Sequence, residues 1–151
     1  MDDIVFRDYV TADFEALAVL WRDSVRVMGV DEIDWPGMEF FREKLAEILE
    51  GGEVTVADQD GRILGFLNLK PDEGVLDQLF LDPRVLRSGL GTAFFARACA
   101  RMPEGFTLYK PSANQRARAF YLRMGMVETH EAAHHVWGHP ITFYAWQPAA
   151  T

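Results

Sequence analysis

VLDQLFLDPRVLRSGLGTAFFARACARM, residues 75–102, joins an apolar strand to an amphipathic helix through an Asp82-Pro83 turn and a Gly89-Leu90-Gly91 pair. A helix start exposes backbone N–H groups without intrahelical acceptors and carries the positive end of the helix dipole, so an anion laid there meets donors and a favourable field together. Gly89 and Gly91 have no Cβ to hold such a ligand away from the backbone. At about 100° per residue Phe94, Phe95, Ala98, Cys99 and Met102 share one face, and Gly91 projects toward its middle. Gly91 therefore also reads as a close-packing residue between helix and sheet, while Arg97 and Arg101 fall off the apolar face.

Two familiar phosphate loops do not fit. No Lys-Ser or Lys-Thr follows the glycines, so the lysine and magnesium hydroxyl of a Walker loop are missing. Phe94 stands where a dinucleotide fingerprint needs its third small residue, and the turn lies past mid-chain instead of in an early βαβ unit.

The chain has 151 residues, 49% hydrophobic and 13% aromatic, which predicts one domain with a proper core. No apolar run approaches the roughly 18 residues of a membrane span, and MDDIVFRD lacks the basic and apolar regions of a leader. A single cysteine cannot form an internal disulfide, and Cys99 sits on the apolar helix face as core filler. Together these predict a cytoplasmic chain with no membrane partner.

The net charge of -8 argues against nucleic acid as a partner. Its distribution is uneven. Residues 84–123 hold eight basic side chains against the single acid Glu104, a local +7, whereas residues 1–83 hold seven basic and twenty acidic ones, a local -13. The surplus surrounds the proposed anion loop, although solvated helix faces would show the same pattern.

In order, Ile4 to Val10 reads as a strand, and Thr11 as the N-cap of a helix running to about Met28 and closed by Gly29. A loop with Asp31, Glu32 and Asp34 precedes a helix over about 38–50. Residues 53–58 and 62–70 form a hairpin around Gln59-Asp60-Gly61. After residues 75–102 come a short strand over 106–110 and the helix of NQRARAFYLRMGM, residues 114–126, whose Ala117, Phe120, Tyr121 and Met124 share a face. Residues 127–130 and 141–147 are two further strands. The His134, His135 and His139 group between them lacks helical spacing and carries no Cys or paired carboxylate, so no metal is expected.

Several of these stretches resemble the GNAT-type N-acetyltransferases. Leu86-Arg87-Ser88-Gly89-Leu90-Gly91 is similar to their acetyl-CoA loop, Gln or Arg, two residues, Gly, one residue, Gly or Ala, with Leu86 in the polar first position. Residues 114–126 match their pattern of Asn, two residues, Ala, two residues, Phe-Tyr, three residues and Gly, with Met126 where Phe is usual. RDYVTAD, residues 7–13, is loosely similar to their opening, and LWRDSVR, residues 20–26, to the first helix of bacterial members.

The resemblance implies an α/β (α+β) GNAT fold, with a mixed, mostly antiparallel sheet of six to seven strands flanked by about four helices. It spans residues 1–151 as a single acetyltransferase domain. It implies an acetyl-CoA-dependent N-acetyltransferase that moves an acetyl group to a primary amine, of a small molecule or a protein, by direct transfer in a ternary complex. A non-catalytic acyl-CoA-binding sensor or regulatory domain of the same fold is the alternative that Leu86 leaves open.

On the same resemblance, the backbones of Leu79 and Leu81 meet the pantetheine arm where a bulge parts the fourth strand from the fifth. Arg87, Ser88, Gly89, Leu90, Gly91 and Thr92 hold the pyrophosphate, and Asn114 and Tyr121 complete the acetyl-CoA site. Tyr121 is the general acid for the leaving thiolate, and a backbone N–H near Leu79 meets the oxyanion. The base is Asp77 or Glu73, with bulk water or a preformed neutral amine as the other options. Trp21, Met28 and Trp35 line the acceptor pocket or are packing residues. The three acids nearby would suit a cationic amine. A homodimer is one option for the assembly, which the sequence leaves unread.

Overall fold

The computed structural model describes residues 3–26, 36–86 and 88–148. Its elements are β1 (Ile4–Asp8), α1 (Phe14–Val25), α2 (Met38–Leu49), β2 (Glu53–Gln59), β3 (Arg62–Lys70), β4 (Val75–Leu81), α3 (Leu90–Arg101), β5 (Phe106–Pro111), α4 (Gln115–Arg123), β6 (Val127–Ala133) and β7 (Pro140–Trp146). The strands form a 7-stranded sheet in the order β1-β2-β3-β4-β5-β7-β6. Every neighbouring pair is antiparallel except β4 and β5. This is the mixed sheet with flanking helices that the resemblance implies.

Local chemistry accounts for most of the boundaries. Asp60 (φ 52°) and Gly61 (φ 88°) both sit in the left-handed region, which a two-residue turn needs to match the twist of the β2–β3 hairpin. β3 is central and reads as a nearly continuous apolar run because both of its faces are covered. β6 is an edge strand, exposed at every position, and it runs three residues beyond the expected 127–130.

The start of α1 differs from expectation. Thr11 opens a 3-10 turn (Thr11–Asp13) before α1. The capping side chain is Asp13, whose carboxylate accepts from the Val10 N–H at 2.9 Å. The same carboxylate takes two hydrogen bonds from Arg7, each 2.9 Å, so the Arg and Asp of RDYVTAD fasten β1 to the helix start. Gly29, expected to close this helix, lies outside the described residues.

Each face of the sheet carries a helical layer. α1 and α2 cover Val56, Phe66 and Phe80, with Leu17, Phe41 and Leu45 as their own buried residues. α3 and α4 cover Leu64, Leu67, Leu76 and Leu108 through Phe94, Phe95 and Tyr121. Cys99 is half-buried at the edge of this second layer, and burial pushes its thiol pKa up, as an inert packing cysteine requires.

The turn leaving β4 is tied down by Asp82, only 6% exposed. Its carboxylate accepts from the Arg84 N–H at 2.9 Å, the Arg84 guanidinium at 2.7 Å and Arg62 at 3.2 Å. These bonds hold the Asp82 carboxyl down to about 2. A lowered carboxyl stabilises the fold above its unfolded value near ~3.9, and that stability is lost as pH falls through the folded value. We expect Asp82→Asn to cost about 1–2 kcal/mol at pH 7 and almost nothing near pH 2, read by urea melts at the two pH values. An equal loss at both would remove the ionic origin of the effect.

Candidate functional site

The site is a gap in the sheet. β4 and β5 run parallel yet pair only at Val75↔Thr107. The cause lies on the other side of β4, where Leu69 pairs with Leu76 and Asn68 with Gln78, so Asp77 is one extra residue in the ladder. Such a bulge bends its strand and ends regular pairing.

The backbone groups facing this gap follow from the ladder. The Asp82 N–H donates to the Leu64 carbonyl at 2.8 Å, and antiparallel pairs alternate. Gln78, Phe80 and Asp82 therefore bond toward β3, and the N–H and C=O groups of Leu79 and Leu81 point the other way, into the gap. The Leu81 carbonyl accepts from the Ser24 hydroxyl at 2.8 Å, which pins α1 to the end of β4.

A cavity of about 810 Å³ opens here, bordered by Leu79, Leu81, Gly89, Gly91, Lys110 and Tyr121 among others. At its loop side Gly89 caps α3 with φ 90°, a conformation that costs other residues strain. The N–H groups of Gly91 and Thr92 belong to the first helical turn and have no intrahelical acceptor. A Cβ on Gly91 would stand 3.2 Å from the Phe120 ring and 3.5 Å from the Leu81 side chain. Its close approach is thus chiefly to α4, not to the sheet as the helix pattern alone suggests. Leu86 lines the cavity with its apolar side chain. Ser88 is exposed and its hydroxyl stands 3.4 Å from the Leu90 N–H. Leu90 is buried in the core and Thr92 is exposed on the cavity rim. Arg87 lies outside the described residues.

Two side chains of α4 border the same space. The Asn114 side-chain oxygen Oδ1 accepts from the Ala117 N–H at 3.1 Å and so caps α4, a structural task the motif does not announce. Tyr121, 3% exposed, packs its ring on Phe95, Phe120 and Tyr144. Its hydroxyl has no hydrogen-bond partner among the described residues. Burial pushes the phenol pKa well above its ordinary value, so it stays protonated across the neutral range.

The expected acid–base partners separate. Glu73 is exposed in the turn after β3, where its N–H bonds the Lys70 carbonyl at 3.1 Å. Asp77 projects from the bulge, accepts from the Asn68 amide at 3.3 Å and stands 3.9 Å from the Lys70 ammonium. Burial raises its pKa, while Lys70 and Lys110 oppose the rise. Neither carboxylate lines the cavity directly.

Trp21 does not line the cavity either. It packs against Phe41 and Phe80 at 5.7 and 5.4 Å, which is the core reading of that residue. Met28, Trp35, Asp31, Glu32 and Asp34 lie outside the described residues. In the loop before β7, the His134 ring stacks on His135 and His139. Its Nδ1 accepts from the Val136 and Trp137 N–H groups, both at 3.1 Å, and the described residues contain no group of three ligands placed for a metal.

The basic surplus is largely spent elsewhere. Arg84 binds Asp82, Arg101 binds Glu53 at 2.7 Å, Arg118 binds Glu128 at 2.6 Å, and Arg97 lies over the Phe6 ring. Only Lys110, Arg116 and Arg123 among the described residues of that segment border the cavity.

Three residues of the site escape a reading by motif. Ser24 lies in LWRDSVR, where nothing singles it out, and Lys110 carries no pattern, although it shares the strand parity of Phe106 and Leu108 and so stands out as a cation in an apolar row. Gly65 is the third. Its missing Cβ would stand 2.8 Å from the Phe80 carbonyl and 2.8 Å from the Leu81 side chain. A glycine inside a strand is the signal of such an approach.

A model of the acetyltransferase (GNAT) family matches residues 14–126, and the chain belongs to that family. It shares its fold with Escherichia coli YjaB, whose apo form is known in solution, at 23% identity over 97% of this chain and 99% of that one, TM-score 0.79. The ribosomal-protein-S18-alanine N-acetyltransferase of Escherichia coli is similar at 18% identity, covering 98% and 96%, TM-score 0.74. A Sinorhizobium meliloti phosphinothricin acetyltransferase, solved with AcCoA, is similar at 16% identity, covering 96% and 88%, TM-score 0.70. The protein is thus an acetyltransferase, and acetyl-CoA is the acyl donor of its family. No helix among the described residues is long and apolar enough to cross a membrane.

Proposed function

We propose that the protein is an acetyl-CoA-dependent N-acetyltransferase that transfers the acetyl group directly to a primary amine in a ternary complex. The observation that carries this reading is the Tyr121 hydroxyl, unpartnered among the described residues, which borders the same cavity as the gap-facing backbone of Leu79. The cavity suits the donor in shape and chemistry. Gly91 leaves room beside Phe120, the first-turn N–H groups of α3 meet a pyrophosphate, and the parted strand offers the pantetheine amides a partner to pair with. Replacing the usual polar residue by Leu86 removes a side chain and leaves these backbone donors in place.

A thioester is already activated, so the protein's task is to orient, to stabilise charge and to move two protons. The Leu79 N–H meets the carbonyl oxygen as the amine nitrogen attacks the acetyl carbon. Tyr121 gives its proton to the departing sulfur. The amine loses its proton through water to Asp77, whose raised pKa brings it closer to the working range of a base. Glu73, turned to solvent, takes no part. Reaction in the cytoplasm fits a chain with one cysteine.

Calorimetry with acetyl-CoA, with NAD and ATP as controls, tests the reading. Micromolar binding of acetyl-CoA alone, followed by CoA release with an amine, is the expected result. Absence of acetyl-CoA binding removes the reading, and binding without turnover on any amine returns the non-catalytic acyl-CoA sensor.

A further inference from the structure

Lys110 is a lysine where the fold has no ordinary use for one. It is 8% exposed, and by strand alternation its stem follows Phe106 and Leu108 on the face covered by α3 and α4. Its Nζ nevertheless stands 5.4 Å from the centroid of Phe80, whose ring belongs to the α1 and α2 layer. The side chain therefore crosses the gap between β4 and β5, and it borders the cavity there. Among the described residues its ammonium has no hydrogen-bond acceptor.

A buried cation with unspent donors is costly unless an anion meets it. Asp77 on β4 is the carboxylate that acts on it, and that charge is shared with Lys70 and crowded by Glu73. The other titratable groups bordering the cavity are Tyr121 and the cations Arg116 and Arg123 on α4, with Tyr144 on β7 packed on Tyr121, and burial raises the pKa of both phenols. None supplies a permanent counter-ion. The reaction does supply a transient one in this gap, since the C–S electron pair leaves with sulfur as the C–N bond forms.

On the reading that acetyl-CoA occupies this cavity, we propose that the Lys110 ammonium is a catalytic group that donates a hydrogen bond to the departing CoA sulfur and stabilises its negative charge until the Tyr121 proton arrives. The lysine keeps its own proton, so the proton balance of the transfer is unchanged. A cation fixed before the charge appears needs no reorganisation when the bond breaks, which is where electrostatic catalysis gains most. Burial lowers the lysine to about 8. It is thus charged at neutral pH and loses its charge as pH rises through that value.

The test uses free CoA, the product thiol, bound to the full chain. Its thiolate absorbance is titrated in the wild type, in Lys110→Met and in Lys110→Arg. The expected result is a bound-thiol pKa lower by about one pH unit or more in the wild type and Lys110→Arg than in Lys110→Met. kcat should fall about tenfold in Lys110→Met, and the alkaline decline of kcat above about pH 8 should move out of range in Lys110→Arg. CoA that binds all three proteins with the same thiol pKa overturns the role of Lys110 and leaves the proposed reaction standing. CoA that binds none of them, in chains with native far-UV spectra, overturns both.

Discussion

Tyr121→Phe is expected to lower kcat by about 10³-fold while acetyl-CoA binds within about twofold of the wild type. The ring does the packing, against Phe95, Phe120 and Tyr144, and phenylalanine keeps that ring. The hydroxyl has no partner among the described residues whose loss would leave a buried group unsatisfied. Removing it therefore separates chemistry from folding more cleanly than most active-site changes. Because burial raises the phenol pKa, the proposed proton donor stays loaded to well above neutral pH, and the variant should show no new titration between pH 6 and 9. Steady-state kinetics with calorimetry on the same samples checks both halves. Full turnover by the variant would remove the acid role and shift the proton to water.

Gly65→Val is expected to destabilise the protein by about 3 kcal/mol and to weaken acetyl-CoA binding at least about tenfold in the molecules that fold. A Cβ there meets the Phe80 carbonyl at 2.8 Å and the Leu81 side chain at 2.8 Å, with the Phe94 ring at 3.1 Å behind. Leu81 can rotate its end away, but the Phe80 carbonyl is backbone and belongs to the β3–β4 ladder. Relief therefore comes from moving the end of β4, whose Leu79 and Leu81 groups face the cavity. The control is Gly37→Ala, where a Cβ meets nothing within 4 Å and the cost should stay under ~0.5 kcal/mol. Denaturant melts and calorimetry read the two effects. Unchanged binding in a destabilised Gly65→Val would show that the gap adjusts independently of β3.

Both expectations concern residues around the β4–β5 gap, and they show how far the chain could be read without coordinates. The bounds Val75–Leu81 and Arg62–Lys70 follow from apolar runs between strong turn signals, and the Asp60-Gly61 hairpin from residues that tolerate positive φ. The Asn114-to-Gly125 pattern located the helix that carries Tyr121 toward the cavity. Such features are local, because periodicity and turn chemistry act within a few residues of themselves. Thr11 shows the limit even there. Asp13, held by Arg7 from β1, takes the cap, and a side chain already engaged in tertiary contact outweighs a local preference.

The charge pattern shows the limit at long range. Eight basic side chains around the glycine loop suggest a phosphate field, yet Arg101 and Arg118 have carboxylate partners on other elements, and Arg84 binds Asp82 in its own turn. Sequence distance does not say where a long flexible side chain finds its acid. Nor does it say that Asn114 caps its own helix, or that Lys110 crosses from one layer to the other.

The sequence by itself determined the order and nature of the elements and the glycine-capped start of α3, because each rests on periodicity or conformation within one element, while Tyr121 is singled out by the resemblance of residues 114–126. The parting of β4 from β5 at a bulge is what the family resemblance implies; only the tertiary structure decided that the bulge falls at Asp77, that Gly65 makes room for the end of β4, and that a lysine lies in the gap. Register and layer packing are set by the fit of surfaces contributed from distant segments, and one extra residue at Asp77 changes which backbone groups are left for a ligand.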